Sequence, residues 1–342
     1  IECWLEQPQN TQICYLVPPF SITASTRVVL RPQQGTVKTM PSKYTEYSTP
    51  QREFGGASEA CRSGSRSQLR AALEQGGADA KVAIAELQHA MPALAFDAEG
   101  CDLVLEALDR ANAQEMLAMA ATFRGSVPAA ACSQHAHQVL ERLLHDLSGA
   151  DAGFVAEELL GRGRELAFDQ YGSSVICQLL LFAQQNHGTH ALVDEVLSAD
   201  VTAVCHHKQG HQVALATLEH GLPQHRHRIF VSLLPVLGRA TKHRFAAELI
   251  ATALLQCRQE EANALAIAVL DTPGVVATLA CHCFGAQIVR SLLQIRGIGS
   301  FVMQQIARSE KKMRKDKFGS ELLQELGVYQ GSTLAVARRG GA

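Results

Sequence analysis

Phe168-Asp169-Gln170-Tyr171-Gly172-Ser173-Ser174-Val175-Ile176 decides the fold, because its arrangement returns along the chain. An acid stands three residues before a glycine, an aromatic directly before it, and an apolar pair three and four residues after it. The same order holds in His282-Cys283-Phe284-Gly285-Ala286-Gln287-Ile288-Val289, with His for the acid, and in Asp316-Lys317-Phe318-Gly319-Ser320-Glu321-Leu322-Leu323. Looser copies surround Gly100, Ala136, Gly210 and Ala246. The pivots at 100, 136, 172, 210, 246, 285 and 319 are spaced by 36, 36, 38, 36, 39 and 34 residues. A fainter copy at Gly64, again 36 residues before Gly100, lacks the apolar pair and is expected to be a degenerate N-terminal cap.

Each unit reads as two helices. One precedes the pivot, as in Leu192-Val193-Asp194-Glu195-Val196-Leu197 running on to Val204-Cys205, and a second follows it, as in Val175-Ile176-Cys177-Gln178-Leu179-Leu180. Apolar residues recur at helical spacing, and the pivot supplies a tight turn. Just ahead of it, Ala95, Ala131, Ala167, Cys205 and Ala280 place a small residue where two helices approach closely. A single unit cannot bury its own apolar face, so neighbours must stack. The spacing predicts an all-α solenoid of about seven to eight repeats over 61–330.

Composition agrees. The 342 residues are 47% apolar and 5% aromatic, with 31 Lys+Arg against 33 Asp+Glu. That supports a packed core and excludes a polyelectrolyte, a collagen-like chain and a disulfide miniprotein. No apolar run approaches the roughly 20 residues that a membrane-spanning helix needs. The low aromatic content disfavours β-rich folds. The net charge of −2 exerts no global pull on nucleic acid. Six of the ten cysteines (132, 177, 205, 257, 281 and 283) lie in or beside apolar helical patterns and read as small hydrophobes in a reducing, intracellular setting.

Residues 1–60 differ in kind, with six of the eleven prolines and none of the fourteen histidines. They read as an irregular or disordered Pro/Ser/Thr/Gln-rich arm. Ile13-Cys14-Tyr15-Leu16-Val17 is too short and lacks the basic flank of a signal peptide. Residues 331–342 read as a flexible tail.

The pivot segment resembles the Pumilio (PUF) repeat: His or Asp, any residue, an aromatic, Gly, two variable residues, then an apolar pair. The resemblance implies a right-handed crescent whose concave face carries the second helix of every repeat. It also implies single-stranded RNA as partner, one base per repeat. In the family, the first and fifth residues after the pivot contact the base edge, and the second stacks between bases.

Carried over, the edge pairs are Cys101 with Leu105, His137 with Glu141, Ser173 with Cys177, His211 with Leu215, Ala247 with Ala251, Ala286 with Arg290, and Ser320 with Gln324. Ser320 with Gln324 matches a familiar adenine-reading combination. Leu105, Leu215 and Ala251 have no group to offer a base edge. The stacking positions hold Asp102, Gln138, Ser174, Gln212, Glu248, Gln287 and Glu321, with no aromatic or Arg. Four acids against the single base Arg290 would repel phosphates on this face.

Lys311-Lys312-Met313-Arg314-Lys315-Asp316-Lys317 holds five bases in seven residues, and Lys311, Lys312, Arg314, Lys315 and Lys317 are candidate phosphate contacts. His225-Arg226-His227-Arg228, with Arg239, Lys242 and Arg244, would form either a basic ridge on the other helix layer or a solvated face. Cys205-His206-His207 with His211, and Cys281-His282-Cys283, fit no closed metal site. No phosphate loop, nucleophile elbow or metalloprotease motif is present, so no cofactor, metal, small-molecule substrate or catalysis is expected. The expected role is mRNA binding in post-transcriptional regulation in the cytoplasm. Two alternatives stay open: a scaffold holding a protein on the concave face, or a structured-RNA, ribosome-assembly binder, which would be nucleolar.

Overall fold

The computed structural model describes residues 63–198 and 200–328; the N-terminal arm expected at 1–60 and the tail at 331–342 lie outside them. Helix α1 (Ser63–Gln75) opens the array. Repeat 1 follows as α2 (Gly77–Leu94) and α3 (Ala98–Arg110). Repeat 2 is α4 (Ala113–Phe123), α5 (Val127–Ala130) and α6 (Ala136–Asp146). Repeat 3 is α7 (Gly153–Leu159), α8 (Gly163–Phe168) and α9 (Gly172–Phe182). Repeat 4 is α10 (His187–Leu197), α11 (Val201–His206) and α12 (Gly210–His220). Repeat 5 is α13 (Pro223–Leu233), α14 (Leu237–Ala240) and α15 (Arg244–Gln256). Repeat 6 is α16 (Gln259–Leu270), α17 (Val275–Ala280) and α18 (Gly285–Gln294). Repeat 7 is α19 (Gly299–Met313) and α20 (Lys317–Glu325).

The pivot helices α3, α6, α9, α12, α15, α18 and α20 stack side by side as one layer, and α1 packs on α3 at its start. The preceding helices form the opposite layer, with α2 on α4, α7 on α10, α10 on α13, and α17 on α19. Between the layers lie the apolar pairs, from Leu103 and Val104 through Val175 and Ile176 to Leu322 and Leu323, all buried. Each such side chain contributes roughly 1.5–3 kcal/mol.

The two-helix reading of each unit is corrected in repeats 2 to 6, where the first helix is broken into two pieces. The breaks have identifiable causes. Gly125, Gly161 and Gly274 take left-handed φ values of 80°, 86° and 73°, which end α4, precede α8 and open α17. In repeat 4 the Asp200 side chain instead accepts from the Ala203 N–H at 3.1 Å and starts α11 afresh. In repeat 5 a 3-10 turn at Leu234–Val236 carries Pro235. Repeats 1 and 7 keep the first helix whole.

The breaks are stapled by the next repeat. Glu158 on α7 accepts the Gly125 N–H at 2.8 and 2.9 Å. Glu195 on α10 accepts the N–H groups of Gly161 at 2.8 Å and Gly163 at 2.9 Å.

The pivot itself explains the motif. The side chain three residues before it caps the pivot helix. Asp97 accepts from Gly100 N–H at 3.0 Å, Asp169 from Tyr171 and Gly172 at 2.9 and 2.7 Å, and Asp316 from Gly319 at 3.0 Å. His207 uses bare Nδ1 to accept from Gln209 and Gly210 at 3.2 and 3.3 Å, and Ser133 Oγ accepts from His135 and Ala136. The glycine is needed for close approach: a Cβ on Gly210 would lie 2.7 Å from the Val204 carbonyl oxygen, and one on Gly285 2.7 Å from that of Leu279. Where the pivot is Ala136 or Ala246, the residue six positions earlier is Ala130 or Ala240 rather than Leu, Val or Met. The small residues Ala95, Ala131, Ala167, Cys205 and Ala280 are all fully buried, and burial pushes the Cys205 thiol up to about 12.

Candidate functional site

Along the pivot helices, the residues two, five, six and nine positions after the pivot share one stripe, as i, i+3 and i+4 neighbours must, and are exposed or half-buried except Ala251 and Ser291. The first position turns inward. Cys101 is 1% exposed and donates its thiol to the His135 carbonyl at 3.3 Å; Ser173 is 1% exposed, and Ala286 and His211 are also buried. The structure therefore withdraws Cys101, Ser173, Ala286 and His211 from the open face, because the neighbouring pivot helix covers that side of each turn. His137 and Ser320 remain half-buried. The ring of His137 sits 4.7 Å from Tyr171, and that of His211 stacks 4.2 Å from Phe245, so each seals a seam between adjacent repeats.

The second and fifth positions are mostly open. Asp102, Gln138, Gln212, Glu248, Glu321, Arg290 and Gln324 are exposed, and Glu141, Ser174, Cys177 and Gln287 are half-buried. Several are engaged along the stripe. Ser174 donates to Glu141 across one seam, and Arg290 makes hydrogen bonds of 2.8 and 2.9 Å to both Glu325 oxygens. Those bonds hold the Arg290 pKa up and that of Glu325 below the usual carboxylate range. Arg142 bridges to Asp109 at 2.8 Å and to Asp146, and Arg70 meets Glu106 at 3.3 Å. The cations of the stripe are thus neutralised locally.

Its middle is apolar. Leu181 (42% exposed) and Leu255 (46%) flank the half-buried Leu215, with buried Ala251 beside them. Burial raises the Cys177 thiol to about 12, with the Glu141 and Glu219 carboxylates adding to the rise.

The other sequence clusters separate. Lys311, Lys312, Lys315 and Lys317 are exposed near the start of α20, whereas Arg314 pairs with Glu310. The segment 225–228, readable from sequence as a basic ridge or a solvated face, reaches the surface in exposed His227 and half-buried Arg226 and Arg228, with its side chains engaged by neighbours. His225 is fully buried, Arg226 donates to the Gln256 and Glu219 carbonyls, and Arg228 binds Asp194 at 2.8 Å. His227 meets Glu261 at 2.7 Å. Lys242 and Arg244 lie elsewhere, at the turn into α15. Among the described residues no group of three or more His, Cys, Asp or Glu side chains is placed to hold a metal, and no helix is long and apolar enough to cross a membrane.

Two parallel layers of short helices, repeating every 34–39 residues with capped glycine pivots, match solved structures. The Puf3 RNA binding domain bound to Cox17 RNA 3′ UTR recognition sequence site B superposes with a TM-score of 0.68 at 15% identity, covering 80% of this chain and 82% of that one. PUF-8 in complex with PBE-RNA gives 0.62 at 17%, covering 73% and 74%. The RNA-binding domain of yeast Puf5p bound to SMX2 RNA gives 0.56 at 16%, covering 76% and 79%. This chain has the Pumilio fold. No protein-family model matches its sequence, and no curated protein matches it either. The Pumilio pivot helices therefore place the exposed stripe on the concave face of the array, with the short helices α5, α8, α11, α14 and α17 behind it. Sequence reasoning missed those short helices and the inward turn of the first edge position. The left-handed glycines carried a signal for the breaks; nothing local marked the inward turn.

Proposed function

We propose that this chain binds single-stranded RNA along the concave face of its Pumilio array and acts, without catalysis, in post-transcriptional regulation of mRNA in the cytoplasm. The observation that carries this reading is the fold, shared over 73–80% of the chain with domains described as RNA-bound. The polar side chains at reading positions, exposed in Gln138, Arg290 and Gln324 and half-buried in Glu141, Gln287 and Ser320, support it in repeats 2, 6 and 7. Repeats 4 and 5 bring Leu215 and Ala251 to the edge position, so bases there gain packing but no hydrogen-bonded readout.

The test is selection of the full chain against a random single-stranded RNA pool at two salt concentrations. A motif should emerge, with its sharpest position assigned to Ser320 and Gln324. Replacing both by Ala should relax preference at one base only. Failure to enrich any RNA at either salt overturns the reading, and a uniform loss across sequences overturns the repeat 7 assignment.

A further inference from the structure

The concave stripe neutralises its own cations, yet RNA affinity rests largely on phosphate contacts. A row of unpaired bases lies elsewhere, on the rim where the pivot helices begin. Two and four residues before each pivot, the chain turns into the pivot helix at this edge. Repeat 4 carries Lys208 there, repeat 5 carries Lys242 and Arg244, and repeat 7 carries Lys315 and Lys317. All five are exposed, and none makes an ion pair among the described residues. Arg244 and Lys317 instead rest over the rings of their neighbours Phe245 and Phe318, at 5.4 and 5.8 Å from the centroids.

The acids that share these turns are occupied or remote. Asp316, between Lys315 and Lys317, is turned inward to accept the Gly319 N–H. In repeats 4 and 5 the capping residue is His207 or His243, so no carboxylate stands beside the bases. The same rim positions in repeats 1 to 3 hold Ala98, Gln134 and Gln170 with Phe96, Cys132 and Phe168, and repeat 6 holds Cys281 and Cys283. The basic row is therefore confined to the C-terminal half, interrupted once. Adjacent helix axes lie 8–10 Å apart, so four consecutive pivot helices spread the row over about 24–30 Å. Helices α12, α15 and α20 also point their positive dipole ends to this edge.

We propose that the rim formed by Lys208, Lys242, Arg244, Lys315 and Lys317 is a phosphate track that holds the sugar–phosphate backbone of a single strand, independently of base identity. The proposal rests on the RNA-binding reading above and assigns the electrostatic share of binding to a surface outside the base-reading positions. Association is then salt-dependent even though the concave face is acidic. Specificity and affinity reside on different surfaces of the same repeats.

The experiment measures binding of the full chain to a uridine 20-mer over a series of salt concentrations. The wild-type chain is compared with a variant in which the five bases are replaced by Gln. Lys81→Gln, an exposed base on α2, is the control. Far-UV circular dichroism establishes that all three are equally folded. Each lost phosphate contact on a single strand lowers the slope of log K against log salt by about 0.7, so the variant, with five contacts removed, should lose about 3.5 in slope while Lys81→Gln loses nothing. RNA binding with an unchanged slope in the variant overturns the rim and leaves the proposed function standing. An equal loss in Lys81→Gln also overturns it. Absence of RNA binding by the wild-type chain at every salt overturns both.

Discussion

His207 shows how much one side chain carries in a repeat. Its Nδ1 accepts two backbone N–H groups, and its ring meets Phe168 at 4.7 Å. Only the unprotonated nitrogen can accept, and burial already lowers the His207 and His243 pKa values below the ordinary 6.5. The unfolded chain therefore takes up these protons before the folded one does. Their contribution is intact above pH 6.5 and is lost as pH falls from there through the lowered folded values. Buried His225 and half-buried His190 titrate in the same direction. The melting temperature is expected to fall between pH 7 and pH 5, and a flat profile would refute this. His207→Ala should cost about 1–2 kcal/mol at pH 7, as lost caps do. His207→Asp should cost less, because Asp169 and Asp316 fill the same role, and it should soften the acid transition. Equal destabilisation by both changes, in urea titrations, would show that the cap is not what matters. At the pivot, Gly210→Ala drives a Cβ against the Val204 backbone and should cost about 1–3 kcal/mol. A double-mutant cycle with Val204→Ala should be less than additive, following the Ala130–Ala136 and Ala240–Ala246 pairings.

Among the elements, legibility divides by distance along the chain. The period, the small pivot and the capping residue are local, so the pivot helices and the Pumilio resemblance were plain in the sequence. The pairing of Arg228 with Asp194, 34 residues away, was not, so that basic cluster could be read only as a ridge or a solvated face. The inward turn of Cys101 and Ser173 likewise depends on the adjacent pivot helix, which no single repeat contains. The broken first helices depend on both levels: a left-handed glycine within the repeat and a carboxylate from the next. Glu195 bridges both, accepting from Gly161 and Gly163. Glu195→Ala strips the acceptors of one exposed and one part-buried N–H from that turn and should cost about 1–2 kcal/mol. Hydrogen exchange should accelerate at the Gly161 and Gly163 amides, with α9 left protected. Unchanged exchange at those two amides would show that the staple is dispensable.

For the whole molecule, stability is a sum of repeats and the seams between them. Leu323 is buried in the last pivot helix and Leu179 in the third. Each Leu→Ala change should cost about 2–5 kcal/mol locally. Exchange mapped by mass spectrometry should register Leu323→Ala in repeat 7 alone, whereas Leu179→Ala should loosen repeats on both sides of it. Identical patterns would mean that the array melts as one cooperative body. The concave face is partitioned in the same way: polar side chains toward the ends, at the positions proposed to read bases, an apolar centre at Leu181, Leu215 and Leu255, and free cations on the C-terminal rim.

Among the described residues, the side-chain bonds that join the repeats, such as Cys101 with His135 and Arg290 with Glu325, reach no further than 37 residues along the chain. Under tension applied at its two ends, such an array bears the load in series. Each seam carries the full force, and the weakest yields first. The protein should lengthen in steps of one repeat, like a spring that gives way coil by coil, rather than rupture at a single high force.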